Sequence, residues 1–276
     1  MTVSQSTDRT AASPDADASP AIEATNVHLG YGDEPVVTVD DVSIPRGEIT
    51  ALVGPNGSGK TTLLKGFGGE LEPDGGSVLL DGRAVQERAP KDLARELGRL
   101  QQEQTAPADL TVESLVAHGR YPHRGVFEDL DLEDERAIDR ALDQAEVASL
   151  RDRPVGDLSG GQKQLAFLAM VLAQEPAVLL LDEPTTYLDL HNQLRVMEVV
   201  RELNRERAVT VCVVLHDLQQ AARFADRLVV LQDGHVHARG PPEAVLDEEL
   251  LASVFGVEAD VEDGPVPSIT PRGALD

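Results

Sequence analysis

GPNGSGKTT, residues 54–62, follows the apolar run ITALV (Ile49–Val53) and is continued by the helix-forming TTLLKGF. Its spacing is that of a phosphate-binding loop: glycine, four residues, then Gly-Lys-Thr. A strand in front and a helix behind are the context that motif needs. Gly54, Gly57 and Gly59, with Pro55, Asn56 and Ser58 between them, let the backbone turn its N–H groups inward as a cradle for the β-phosphate. The helix beginning near Lys60 brings its positive end to the same charge. Lys60 is expected to reach the β- and γ-phosphates, Thr61 to offer its hydroxyl to Mg²⁺, and Thr62 to add a phosphate contact. A glycine-rich turn ending in Lys-Thr by chance would lack these flanks. The stretch therefore predicts a nucleoside triphosphate site on an α/β core.

Two further runs have the same character as ITALV. AVLLLD (177–182) and VTVCVVLH (209–216) are short and nearly all apolar, the pattern of strands covered on both faces of a parallel sheet. The first ends abruptly in Asp182 and Glu183. Successive strand residues point to opposite sides, so these two carboxylates cannot share a role. Asp182 is assigned to magnesium, and Glu183 to polarising the attacking water as the base. LSGGQ (158–162) precedes KQLAFLAMVLAQ, with Ser159 placed to cap that helix. Between about residues 90 and 154 the segments DLARELGRL, TVESLVAHGR and EDERAIDRALDQAEV read as helical with little strand signal, a candidate inserted subdomain. Residues 1–20 carry no periodicity and are expected to be a disordered acidic tail. The segment from 257 to 276 also reads as loose, although Val266 and Ile269 could pin a short strand.

Composition narrows the class further. The longest apolar stretches, 165–173 and 211–215, fall well short of the roughly 18 residues that span a bilayer. MTVSQSTDRT has neither a basic start nor an apolar run, so no signal or transit peptide is indicated and a cytosolic location is expected. The single cysteine, Cys212, lies inside an apolar run and reads as a small core residue. The net charge is -25, from 49 acidic against 24 basic residues, and only Lys60, Lys65, Lys91 and Lys163 are lysines. Acidity spread along the chain with scarce lysine is similar to proteins of extreme halophiles, where salt screens self-repulsion. Such a surface is a poor partner for nucleic acid.

The loop, LSGGQ and LDEP, in this order and spacing, resemble the ATP-binding cassette (ABC) family from about residue 22 to 255. The resemblance implies a RecA-like parallel-sheet core with an N-terminal antiparallel β subdomain and an inserted α-helical subdomain. It implies ATP and Mg²⁺ as ligands, with two copies sandwiching two ATP molecules. Ser159, Gly160, Gly161 and Gln162 of one copy would then close on the γ-phosphate held by the other. Tyr31 matches the aromatic that stacks on adenine, His216 the switch histidine at the γ-phosphate, and Asp189 in TTYLD the loop through which the cassettes sense each other. Gln102 matches the glutamine that reaches magnesium and γ-phosphate. In LQQEQT the usual Pro or Ser before that glutamine is Gln101, so Gln101 stays open as the alternative.

Longer stretches narrow the resemblance. TVESLVAHGRYPHRG (111–125), DEPTTYLDLHNQ (182–193) and VLHDLQQAARFADRLVVLQDGHV (214–236) are similar to importer subunits serving iron-siderophore, haem and cobalamin uptake. That implies a peripheral position on the cytoplasmic face, beneath two transmembrane permease subunits supplied by an extracellular binding protein. In that group the HGRYPH region lies where a permease helix docks; without the family, Arg120, Tyr121 and His123 read as an exposed polar loop. No long coiled-coil insertion of a repair ATPase, second cassette of a translation factor or added regulatory domain is evident.

Overall fold

The computed structural model describes residues 19–32, 34–125, 128–262 and 264–275. The chain opens with β1 (Ile22–Gly30), β2 (Pro35–Ile44), β3 (Ile49–Val53), α1 (Lys60–Phe67), β4 (Gly75–Leu80) and β5 (Arg83–Ala84). The insert region holds α2 (Pro90–Glu96), β6 (Leu97–Leu100), α3 (Val112–Ala117), α4 (Leu132–Gln144) and α5 (Gly160–Leu172). Next come β7 (Val178–Asp182), α6 (Leu190–Arg207), β8 (Thr210–Val214), α7 (Leu218–Phe224), β9 (Arg227–Gln232) and β10 (His235–Gly240). The chain closes with α8 (Pro242–Val245), α9 (Glu248–Phe255), β11 (Val257–Glu262) and β12 (Ser268–Ala274).

The central sheet has six strands in the order β10-β9-β3-β8-β7-β6. All neighbours in it are parallel except β10, which returns antiparallel along β9. β3, β7 and β8 are buried at every position, as their nearly all-apolar runs require of strands covered on both faces. Alternation divides their side chains between two cores. Ile49, Ala51, Val53, Leu179, Leu181, Val211 and Val213 face the helices α3 to α6. Leu52, Val178, Leu180, Cys212 and Val214 face α1 and the second sheet. That sheet, ordered β2-β1-β4-β5, is antiparallel. Cys212 is wholly buried and its thiol is pushed far above its ordinary range by that burial, in keeping with a packing residue.

Two sequence expectations change. DLARELGRL is not one helix: α2 stops at Glu96, and Leu97 to Leu100 join the sheet in parallel register with Val178 to Leu181. Gly98 accounts for the switch. It is a poor helix former, and a Cβ there would lie 2.7 Å from Val171 Cγ1 on α5, so the strand and that helix approach each other only at glycine. The helical insert thus begins beyond the sheet's edge strand. At the other end, 257–275 is not loose throughout, because β11 and β12 pair as an antiparallel hairpin from Val257↔Ala274 to Glu262↔Ser268. Ile269 lies in its second strand opposite Val261, whereas Val266 lies outside both strands. The acidic tail over residues 1–18 falls outside the described residues.

The HGRYPH segment also differs from an exposed loop. It forms a 3-10 turn (His118–His123) in which Arg120 is 3% exposed. Arg120 Nε donates to Asp134 Oδ1 at 2.7 Å, and its Nη1 to the Ala173 carbonyl at 2.8 Å and Glu175 Oε2 at 3.3 Å. One guanidinium therefore ties α4 to the end of α5. Burial alone would raise the Asp134 carboxyl. Hydrogen bonds from Arg120 and the Asp131 amide, together with nearby arginine charge, hold it below its ordinary value instead. Arg120→Ala leaves that carboxylate buried and unpaired, and is expected to cost about 3–5 kcal/mol in a denaturant titration. Because the folded-state value is the lower one, Asp134 contributes its stability in full above the unfolded-chain value of about 3.9. The contribution fades as pH falls through the depressed value, so the wild type should lose stability on acidification more steeply than the variant.

Candidate active site

The 54–59 loop leaves the C-terminal end of β3 and enters α1 without a side-chain cap on the helix. Gly54 has φ 148°, and a Cβ there would sit 2.1 Å from the Leu231 carbonyl oxygen, so no other residue fits the crossing beside β9. Lys60, 5% exposed, folds its ammonium back onto the loop and donates to the carbonyls of Gly54 at 2.9 Å and Pro55 at 2.8 Å. Ser58 Oγ is buried with no hydrogen-bond partner among the described residues. Asn56, Gly57, Gly59, Lys60, Thr61 and Thr62 line a pocket of about 180 Å³, with Glu183 and His216 on its far wall. An uncapped helix start, an orphaned hydroxyl and a glycine cradle fit a bound phosphate chain.

Two of the three candidate magnesium groups meet beside the pocket, while Gln102 reaches Glu183 instead. Thr61 Oγ1 donates to Asp182 Oδ1 at 2.9 Å, which brings two hard oxygen donors together from α1 and β7. Asp182 is 3% exposed. Burial raises its carboxyl above the usual range, against the opposing hydrogen bond from Thr61 and the charge of Arg99. A cation held by these oxygens would reverse that balance.

Glu183 sits one residue past β7 in the left-handed region, φ 50°, which turns its side chain away from that of Asp182. Two donors and an imidazole converge on its carboxylate. Gln102 Nε2 donates to Oε2 at 2.6 Å, Thr186 Oγ1 donates to Oε2 at 3.0 Å, and His216 Nε2 lies 2.5 Å from Oε1. Between the two glutamines, the structure brings Gln102 to this carboxylate. Gln101 instead lines a separate cavity of about 410 Å³ with Arg99, His118, Phe167 and Met170.

Residues 38–186 match the ABC transporter family. The chain belongs to that family. Among its relatives, the ferric enterobactin transport ATP-binding protein of Escherichia coli is 45% identical over 89% of this chain and 92% of that protein. A siderophore transport system ATP-binding protein of Bacillus subtilis is 43% identical over 92% of this chain and 93% of that protein. Among solved structures, a chain of an inward-facing ABC transporter described as of metal-chelate type matches with TM-score 0.79 and 26% identity, covering 92% of this chain and 98% of that one. A bacterial ABC transporter cassette solved as a dimer matches with TM-score 0.70 and 29% identity, covering 80% of this chain and 98% of that one.

Other residues expected of an ABC cassette lie away from the pocket. Ser159 caps α5 in a reciprocal capping box with Gln162, and both Ser159 and Gly160 are exposed. None of Ser159 to Gln162 is among the residues that line the pocket. Asp189 caps α6 through the Asn192 amide at 2.9 Å, beside Tyr187 and Leu190, which are 93% and 70% exposed. Tyr31, 64% exposed, accepts a hydrogen bond from Lys65 Nζ at 3.2 Å next to α1. Two residues at the site escape a sequence reading. Thr186, three residues past Glu183, reaches that carboxylate without lining the pocket, and Val36 enters the pocket from the second sheet with no local signal.

Proposed function

We propose that this ABC cassette binds and hydrolyses ATP to drive uptake of an iron(III)-siderophore or similar metal chelate across the cell membrane. The observation that carries hydrolysis is the convergence of Gln102, Thr186 and His216 on Glu183 in the wall of the phosphate-loop pocket. Glu183 takes the proton of the attacking water, while Gln102 and Thr186 fix its carboxylate and His216 stands where the γ-phosphate is cleaved. Lys60 and the start of α1 stabilise charge on the transferring group. Thr61 and Asp182, with Gln102, would hold Mg²⁺, whose positive charge would offset that of the phosphate oxygens. Tyr31 stacks on the adenine.

The pocket is half of a site. The start of α5, Ser159 to Gln162, of which Ser159 and Gly160 are exposed, is the surface that closes on the nucleotide of a second copy, with Asp189 at the same contact. Closure by ATP binding and reopening after hydrolysis move two permease subunits, to which the homodimer is bound on the cytoplasmic face; an extracellular binding protein delivers the cargo. Among the described residues no helix is long and apolar enough to cross a membrane. Ferric siderophore ranks first as cargo because relatives with that function align over nearly the whole chain, ahead of cobalamin and haem. Uptake of labelled ferric siderophore should fail in a strain lacking this gene and return with the gene. Loss of cobalamin or haem uptake in its place would overturn the assignment.

The net charge of -25 supports a second reading, adaptation to concentrated salt. Raising KCl from 0.1 to 2 M should lift the unfolding midpoint by several degrees, at about 2–4 °C per kcal/mol for a chain of this size. A midpoint that is independent of salt contradicts it.

A further inference from the structure

Glu183 and His216 follow neighbouring strands, β7 and β8, and their 2.5 Å contact depends on how the segments beyond those strands are held together. One buried hydrogen bond joins them. Thr185 Oγ1 donates to Gln220 Oε1 at 3.0 Å, with the two residues 8% and 7% exposed. Thr185 lies two residues past Glu183, and Gln220 lies on α7, four past His216. The bond is one link of a closed circuit. The Gln220 amide donates to Asp217 Oδ1 at 3.0 Å beside His216, and the Thr186 hydroxyl returns to Glu183 Oε2 at 3.0 Å. The flanking α7 residues Ala221, Ala222 and Phe224 are buried and apolar, so the carboxamide sits where leucine would pack. A buried amide there carries a desolvation cost that the Thr185 hydroxyl offsets.

We propose that Gln220 is a positioning residue for ATP hydrolysis, holding Glu183 and His216 in register through Thr185. The inference rests on reading Glu183 as the base. Its neighbour Gln219 provides a control. That carboxamide faces the C-terminal hairpin, with Nε2 donating to the Pro267 carbonyl at 2.9 Å and Oε1 accepting from the Ile269 amide at 3.0 Å.

The test is steady-state ATPase kinetics of the full chain. Gln220→Leu and Thr185→Val should each lower kcat about ten- to a hundredfold, the size of effect that follows a misplacement of about 1 Å, with KM for ATP almost unchanged. The double variant should lose no more than either single one, because both break the same bond. Thr185→Ser keeps the hydroxyl and should restore kcat, and Gln219→Ala should match the wild type. Wild-type kcat in Gln220→Leu, additive losses in the double variant, or a serine variant no better than valine would overturn the proposal. The serine and valine comparison decides the matter even if Gln220→Leu folds poorly. Glu183→Gln is assayed alongside: full turnover there would remove the underlying reading, and this inference with it.

Discussion

Glu183→Gln is expected to reduce ATP turnover by about 10²–10⁴-fold while leaving ATP binding intact, and to let an ATP-bound dimer accumulate. The substitution preserves shape but removes the negative charge and one accepting edge. In the wild type Oε2 accepts from both Gln102 and Thr186, and Oε1 faces His216. A carboxamide must turn an NH₂ group toward one of these edges. It keeps its oxygen for Gln102 and Thr186 only by pointing the amide at His216, and in neither orientation can it take a proton from water. The loop and Lys60 are untouched, so the nucleotide still binds and draws two copies together. Equilibrium binding of ATP, single-turnover hydrolysis and size-exclusion chromatography with ATP separate these effects. Undiminished hydrolysis would refute the assignment of the base.

The parts of the structure that could be read from the sequence are those fixed by local rules. ITALV, VLLLD and the run around Cys212 are wholly buried strands because they are nearly all apolar, with Thr50, Asp182 and Thr210 as their only polar members. The loop between β3 and α1 follows from glycines that only particular backbone angles require, and the Ser159 cap from a hydroxyl three residues ahead of Gln162. What was missed depends on distant partners. Leu97 to Leu100 are a strand only because β7 offers an edge and Gly98 admits α5. Arg120 is buried because Asp134 and Glu175, 14 and 55 residues away, meet its guanidinium, and no local pattern encodes that encounter. Gln102, by contrast, is favoured over Gln101 by the apolar LGRL ahead of it, which forms β6 and ends two residues before the side chain that meets Glu183.

Lys60→Ala is expected to weaken ATP binding itself, by about ten- to a hundredfold, since charge-assisted hydrogen bonds are each worth about 1.5–3 kcal/mol. The structure explains why so buried an ammonium is retained. Burial depresses its pKa, yet the charges of Glu183 and Asp182 act the other way and favour the charged form. Its protons are directed at the Gly54 and Pro55 carbonyls, which hold the ammonium in the loop. Removing the side chain therefore costs affinity and also leaves two loop carbonyls short of a donor. Lys60→Met separates the contributions, because it restores the apolar stem but neither the charge nor the hydrogen bonds. If methionine recovers the unfolding midpoint of the free protein and leaves affinity as low as in the alanine variant, the loss belongs to the ammonium. Nucleotide affinity equal to wild type in both variants would end the case for 54–62 as the phosphate site, because no other lysine or arginine lines the pocket among the described residues.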